Sequence, residues 1–321
     1  MALQISLTYR VIIKIIYTVG AVLGIILFKY NSTKNRVTTS TCLLIYHYIL
    51  FIVLSIYGIQ LTINFVMTIK VSTVSFSMIC HVFKNNLLLM FFINALLRIG
   101  RNREVFNETI NEIMDIIQWI NKTNVNSMEM RKFWKLLMKI CVVDNCLITL
   151  IYITYFSIVR FNILNLLPDL YVFLLELIMK FVINSLLTSV VALEYIIHEL
   201  NKMIKTTTGS FIIGHPWEAR QLISNDELNT KLQSFSLVYS KISNCSKKIT
   251  NLFPSLSVVF LLFCMLNLLL VIFNITTRSQ EMFKNIKFLL FSISFFMQDF
   301  CNLFYLIYIC IGVGREVSLK C

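Results

Sequence analysis

The sequence predicts an all-α, polytopic transmembrane helix bundle whose N-terminus is cytoplasmic. Three observations predict this fold class. Of 321 residues, 57% are hydrophobic and only 14% are charged, and the mean hydropathy is +0.77. A soluble domain usually carries about 25% charged residues. Long apolar runs also recur along the chain, and most Lys and Arg residues lie in the segments between them, as expected of a membrane protein.

Seven apolar stretches stand out, at 11–28, 41–67, 74–97, 136–160, 170–197, 255–275 and 287–313. The last six are long enough to cross a hydrocarbon core of about 30 Å. The first is shorter and contains Lys14, so it either crosses the membrane or lies along the interface. Only three prolines and eight glycines are present, which favours continuous helices over the broken helices of many transporters.

The basic residues orient these spans. With the N-terminus, the 98–135 and 198–252 loops and the C-terminal tail in the cytoplasm, 21 of the 29 Lys and Arg residues lie inside and five lie outside. Cytoplasmic loops of membrane proteins carry such an excess of positive charge. The net charge of +13 therefore indicates cytoplasmic loops, and we expect no nucleic-acid partner.

The chain divides into four parts in this topology. They are an N-terminal cytoplasmic or interfacial segment (1–40), transmembrane helices with an amphipathic cytoplasmic loop at 98–135 (41–200), a cytoplasmic amphipathic linker (201–254), and the last transmembrane helices with a short cytoplasmic tail (255–321).

Both long cytoplasmic segments have the apolar spacing of amphipathic helices. The apolar residues of the first are Phe106, Ile110, Ile113, Ile117 and Ile120, and those of the second are Leu228, Leu232, Phe235, Tyr239 and Ile242. The second helix could continue until Pro254. These helices either extend the spans or form a cytoplasmic layer in which helices or subunits pack together.

No catalytic or metal-binding motif is present in the sequence, so we expect no enzymatic activity, cofactor or metal. Ionisable residues within the spans are more informative, because a charge at the centre of a spanning helix costs about 2.5–3.5 kcal/mol. Glu176 precedes Lys180 by one helical turn, which allows either a mutual ion pair or a polar pocket. Asp144 and Asp299 also lie within apolar stretches.

A ligand pocket could form where polar and aromatic residues of several spans converge. The candidate residues are Tyr152, Tyr155, Tyr171, Glu176, Lys180, Gln298 and Asp299. The tyrosines lie in the outer halves of their spans, where aromatic residues more often form a belt at the membrane interface than contact a ligand.

Several short motifs occur in a characteristic order. Near the N-terminus stand Tyr17, Gly20, Gly24 and Phe28, and later a span ends in Leu193, Glu194, Tyr195, Leu200 and Asn201. The run Leu232…Tyr239…Ile242…Lys248-Ile249-Thr250-Asn251 then leads into the 255–275 span. This layout resembles the insect gustatory receptors of the seven-transmembrane chemoreceptor superfamily. In that family the Tyr-Gly…Gly…Phe pattern precedes the first helix, which favours the interfacial interpretation of 11–28.

The resemblance implies a ligand-gated, non-selective cation channel that senses small-molecule tastants. Such receptors lie in the plasma membrane as homo- or hetero-tetramers, with a cytoplasmic N-terminus. Their first six helices enclose an outward-facing ligand pocket, and the seventh lines the central pore.

The family signature lies in that seventh helix, as Thr-Tyr followed by several apolar residues and Gln-Phe. Here Asp299-Phe300 and Tyr305 do not reproduce it in order. The stretch 287–313 corresponds to the sixth helix, and Gly314–Cys321 resembles the start of the linker that follows it. We therefore expect the pore helix to be missing from this sequence and assign no pore residues.

Two other classes of membrane protein are alternatives. A G-protein-coupled receptor would have an extracellular N-terminus, an Asp/Glu-Arg-Tyr triplet after its third span and Asn-Pro-x-x-Tyr in its last. The sequence instead has Arg98-Ile99-Gly100-Arg101 after the third apolar stretch and no Asn-Pro dipeptide. A transporter would show internal repeats and broken helices, which the sequence does not contain.

Overall fold

The computed structural model is a helix bundle, which confirms the predicted all-α, polytopic architecture. It describes residues 17–31, 36–68, 76–123, 144, 150–151, 153–154, 163–212, 225–252, 254–284 and 286–318. The helices are α1 (Thr41–Thr68), α2 (Phe76–Arg101), α3 (Arg103–Thr123), α4 (Ile163–Ile212), α5 (Asn225–Leu252), α6 (Pro254–Lys284) and α7 (Ile286–Ser318). A hairpin of strands β1 (Phe28–Asn31) and β2 (Arg36–Thr39) precedes α1.

Four helices of the described part are long and apolar enough to cross a membrane. Their candidate spans are Thr41–Met67, Met78–Arg101, Leu167–Thr207 and Ser255–Thr277, and each overlaps a predicted apolar stretch. Helix α7 covers the predicted stretch 287–313 without a break. The stretch 136–160 lies outside the described residues except for five positions, so its prediction stays untested.

Helix α2 lies at the centre of the bundle and contacts α1, α4 and α6. Its residues Leu88, Phe91, Phe92, Ala95 and Leu96 are almost completely buried, because their three- and four-residue spacing places them on adjoining faces of the helix. Helix α1 packs on α2 with one face only. Its other face exposes Ile45, Ile49, Ile52, Ile56 and Ile63, an apolar surface suited to lipid.

Helix α4 has 50 residues, which is about 75 Å of helix and far more than a bilayer requires. Its C-terminal half contacts α5, which in turn packs against α3. The rings of Trp119 and Phe235 meet edge-to-face at 5.9 Å, and Lys248 Nζ lies 2.9 Å from Glu112 Oε1. The two amphipathic patterns thus predicted real helices, and these helices pack against each other.

The structure confirms where α5 was predicted to end, and one residue of its predicted apolar stripe is exposed. The helix ends at Leu252, just before Pro254, as expected because proline lacks the amide hydrogen that a continuing helix needs. Phe235 and Ile242 are buried, whereas Leu232 is 40% exposed.

The N-terminal hairpin was not predicted from the sequence. Residues 17–22 are helical, the chain then turns at Gly24 with a φ of +69°, and β1 pairs antiparallel with β2. A positive φ favours glycine because other residues place Cβ against the backbone. Residues 17–28 therefore fold back on themselves and do not form one continuous spanning helix.

A side-chain amide attaches this hairpin to α3. Asn111 Oδ1 accepts a hydrogen bond from the Val37 amide at 2.8 Å, and its Nδ2 donates to the Val37 carbonyl at 3.1 Å. The amide thus replaces a neighbouring strand at the edge of β2. Helix α3 therefore uses its polar face for packing as well as its apolar face.

Candidate functional site

A cavity of about 190 Å³ lies between α1, α2 and α4. It is at the end of the bundle where α1 ends and α2 begins. Its walls include Gly58, Leu61, Thr62, Phe65, His81, Asn85, Leu88, Leu89, Asp169, Tyr171, Val172 and Leu175. Mostly apolar walls with a few polar groups are typical of small-molecule sites, and the volume suits a small ligand.

Tyr171 is the predicted candidate residue that lines this cavity. Its side chain is buried, and its hydroxyl has no hydrogen-bond partner within the described part of the chain. The ring of Tyr57 meets it edge-on at 5.1 Å, and the hydroxyl lies directly against the Cα of Gly58, where a Cβ would collide with it. Because a buried hydroxyl without a partner is costly, a ligand that offers a hydrogen bond would bind favourably here.

The second part of the site is a buried ion pair next to the cavity. Lys84 Nζ on α2 lies 3.1 Å from Glu176 Oε1 on α4. The same ammonium group lies over the rings of Phe263 on α6 and Phe295 on α7, 5.4 and 5.2 Å from their centroids. Cation–π contacts of this kind stabilise a desolvated ammonium group. Lys84 therefore connects the helices that line the cavity with α6 and α7.

Further buried polar groups lie near this ion pair, several of them on α7. The buried carboxylate of Asp299 accepts a hydrogen bond from Asn267 and interacts electrostatically with Lys180. Gln298 and Asn302 are also buried, and Gln298 Nε2 and both polar side-chain atoms of Asn302 find no partner among the residues described. One turn beyond Lys180, Asn184 Nδ2 donates to Asp144 Oδ2 at 2.7 Å. We call Lys84, Glu176, Lys180, Asp299 and Asn267 the charge cluster.

The structure separates the predicted site residues into three groups. Tyr171 lines the cavity. Glu176, Lys180 and Asp299 belong to the charge cluster, with Gln298 beside it on α7. Tyr152 and Tyr155 lie outside the described residues.

Sequence reasoning missed Lys84, Gly58 and Asn85. Lys84 could have been recognised from the sequence, because it is an ionisable residue inside an apolar stretch, as Glu176 and Lys180 are. Gly58 and Asn85 could not have been recognised from the sequence, because only the packing of α1, α2 and α4 brings them to one cavity. The spacing also suggested a Glu176–Lys180 pair, whereas the structure shows an ion pair between Glu176 and Lys84 on another helix.

Comparison with known proteins places this architecture in a family. The model of a family described as 7tm chemosensory receptor matches residues 13–318, which is nearly the whole chain and includes both the cavity and the charge cluster. A search of curated proteins finds no match. The family match confirms the membership that the order of motifs predicted: this chain belongs to the 7tm chemosensory receptor family.

Proposed function

We propose that the chain is a gustatory receptor subunit of the plasma membrane that binds small-molecule tastants in the cavity between α1, α2 and α4. The proposal rests on the cavity itself, whose walls combine apolar side chains with the Tyr171 hydroxyl, which has no hydrogen-bond partner among the described residues. Chemosensory receptors bind small molecules, and mostly apolar walls with a few polar groups suit such a ligand.

The charge cluster would transmit ligand binding to the rest of the bundle. The cavity is lined by α2 and α4, and the Lys84–Glu176 pair joins these helices just behind its wall. A ligand that shifts α4 relative to α2 would change this pair and thereby the contacts of Lys84 with Phe263 and Phe295. Because a ligand shifts an equilibrium only through different affinities for two states, the cluster would need two arrangements that the ligand distinguishes.

The family resemblance further suggests a ligand-gated, non-selective cation channel that works as a homo- or hetero-tetramer. The exposed apolar face of α1 is available to lipid or to another subunit.

Orientation in the membrane tests this proposal against the G-protein-coupled class. We expect an epitope tag at Met1 to be inaccessible to antibody in intact cells and accessible after permeabilisation. An extracellular tag would contradict the gustatory-receptor assignment.

Cysteine labelling in intact cells provides an independent test of the same topology. Asn85→Cys places a thiol in the cavity, so a membrane-impermeant thiol reagent applied from outside should label it. Arg101→Cys places an exposed thiol at the opposite end of α2 and serves as the matched control. Labelling of Arg101→Cys with no labelling of Asn85→Cys would reverse the topology and overturn the outward-facing cavity.

A further inference from the structure

A second cavity, of about 160 Å³, lies at the opposite end of the bundle from the first. The N-terminal residues 25–28, the junction of α2 with α3, and the middle of α4 enclose it. Its walls are mainly apolar and include the buried Leu27, Ile99 and Val182. Arg103 and Asn107 also line it.

The position of this cavity along the helices places it at a membrane–water boundary. The candidate span of α2 ends at Arg101, two residues before Arg103. The candidate span of α4 runs from Leu167 to Thr207, which is longer than a bilayer requires. Ser185, which lines the cavity, follows Leu167 by 18 residues, or about 27 Å at 1.5 Å per residue. A hydrocarbon core of about 30 Å with one edge at Leu167 would therefore end near Ser185, level with the end of the α2 span.

The polar groups of this cavity are mostly engaged already, except for one. The hydroxyls of Ser185 and Ser189 donate to carbonyl groups of their own helix at 2.8 and 2.9 Å, and Asn107 Nδ2 donates to Thr39 Oγ1 at 2.6 Å. Within the described residues, the polar contacts of the Arg103 guanidinium group are long, at 3.5 Å to the Gly100 carbonyl and 3.7 Å to Glu104. It has five N–H donors in a planar arrangement that fits a phosphate group.

Water is a poor occupant for such a space. A single buried water needs about 10–15 Å³ and two to four polar partners, so this cavity could hold several waters but offers few partners. An acyl chain suits the apolar walls better than water does, and an anionic group suits the rim of the cavity at Arg103. Exposed Lys29 and Arg101 add positive charge near the same boundary, which attracts anionic lipids.

We propose that the second cavity binds a membrane phospholipid, with part of an acyl chain between the N-terminal segment and α4 and the phosphate on Arg103. The lipid would connect residues 25–28 to α3 and α4 and so stabilise the folded-back N-terminal segment. This site is separate from the proposed tastant cavity and does not depend on the function assigned to that cavity.

Photo-crosslinking of the chain in lipid nanodiscs tests the proposal. The nanodiscs contain phosphatidylcholine and a small fraction of phosphatidylglycerol with a diazirine in one acyl chain. After irradiation, we expect labelling concentrated on peptides that contain residues 25–28, 106–110 and 181–189. Labelling spread evenly over the lipid-exposed faces of α1 and α6, with no enrichment on these peptides, would overturn the proposal. This experiment needs only the unsubstituted chain.

Substitutions at the rim test the role of the phosphate. Arg103→Gln should lower labelling of these peptides about fivefold, because it removes a charge-assisted hydrogen bond to the phosphate, whereas Arg103→Lys should keep most of it. Arg101→Gln is the matched control, since this exposed arginine does not line the cavity. It removes the same charge from the boundary without removing a phosphate contact, so it should lower the labelling clearly less than Arg103→Gln. Equal losses in the Arg101 and Arg103 variants would contradict a specific phosphate contact.

Two further experiments identify the molecule that occupies the second cavity. Ser185→Trp should fill the cavity and abolish the enriched labelling even with Arg103 present. A diazirine-labelled diacylglycerol, which lacks the phosphate, should label the cavity peptides weakly and should be insensitive to Arg103→Gln. If soluble glycerol phosphate competes with the labelling, the site binds a free phosphate compound and the lipid proposal is wrong.

Discussion

The ammonium group of Lys84 on α2 lies 3.1 Å from the carboxylate of Glu176 on α4, inside a membrane bundle where both side chains are almost fully buried. Taking two charges out of water is expensive, and their attraction offsets this cost only while both partners are present. Removing one partner therefore leaves a buried charge that has lost its ion pair.

We expect Lys84→Met to lower the free energy of unfolding by about 3–5 kcal/mol. The double variant Lys84→Met with Glu176→Leu should be more stable than the single variant, because neither charge then remains. The midpoint of thermal aggregation in detergent measures both effects. Lys202→Met, at an exposed position of α4, is the control and should be close to neutral. A double variant as unstable as the sum of the two single variants would show that the pair is not coupled.

The contact between Gly58 and Tyr171 gives a second prediction. A Cβ at position 58 would collide with the Tyr171 hydroxyl, so Gly58→Ala should displace the ring and lower the free energy of unfolding by about 1–3 kcal/mol, as overpacking does. Adding Tyr171→Phe removes the hydroxyl and should restore part of the thermal stability. If the double variant is no more stable than Gly58→Ala alone, the collision is not the cause of the loss.

The sequence was sufficient for the four candidate spans among the described residues, because apolar length is a property of a single segment. The same holds for α3 and α5, whose amphipathic spacing is local. Contacts between segments were harder to predict from the sequence. Glu176 has Lys180 one turn away in the sequence, yet its ion pair with Lys84 depends on how α2 packs against α4.

The N-terminal hairpin is a second feature that could not be predicted from the sequence. Its strands have only four residues each, too few for a clear alternating pattern. What holds β2 in place is the side-chain amide of Asn111, 74 positions away from Val37. An asparagine on the polar face of an amphipathic helix gives no sign in the sequence of which backbone it will bind.

His47 gives a third prediction, for the N-terminal segment. Its Nδ1 lies 2.6 Å from the Gly24 carbonyl oxygen and its Nε2 lies 3.1 Å from the Leu96 carbonyl oxygen. His47→Leu removes the side chain that joins this segment to α1 and α2, at a cost of about 1–3 kcal/mol. Amide hydrogen exchange of residues 17–31 should therefore become faster, while exchange in α6 should stay unchanged. Tyr48→Phe, which keeps the neighbouring ring, is the control, and uniform acceleration across the bundle would contradict a local role.

The packing of α3 against α5 should depend on pH in two separate ranges. Burial opposes ionisation of Glu112, but hydrogen bonds from Cys245 and Lys248 outweigh it and lower the pKa of Glu112 below its usual 4.5. A carboxyl with a lowered pKa stabilises the packing above its unfolded pKa, and this contribution is lost as the pH falls through the lower folded value. Burial and the hydrogen bond to Glu112 raise the pKa of Cys245 to about 12, from 9.0. That contribution is present below pH 9 and is lost as the pH rises from 9 towards 12.

Fluorescence of Trp119, which packs on Phe235 across these helices, would report the change in a chain whose other two tryptophans are replaced by Phe. We expect a constant signal between about pH 5 and 9 and changes on both sides. Cys245→Ala should remove the alkaline change that begins near pH 9 and keep the acidic one. A later change above pH 10.5 should remain, because the ion pair with Glu112 raises the pKa of Lys248 above its usual 10.5 and is lost when Lys248 deprotonates. An alkaline change that still begins near pH 9 in this variant would assign it to another group.

The proposed role of the cavity is tested most directly by ligand binding to the purified chain, measured as a rise in thermal stability across a panel of sugars, amino acids and plant alkaloids. We predict that at least one class of compound stabilises the chain, and that the rise disappears in Val172→Trp, which fills the cavity lined by Tyr171. Val258→Trp on the exposed face of α6 should leave the rise intact. Stabilisation that survives Val172→Trp, or a panel in which no compound stabilises the chain, would contradict the cavity as the tastant site.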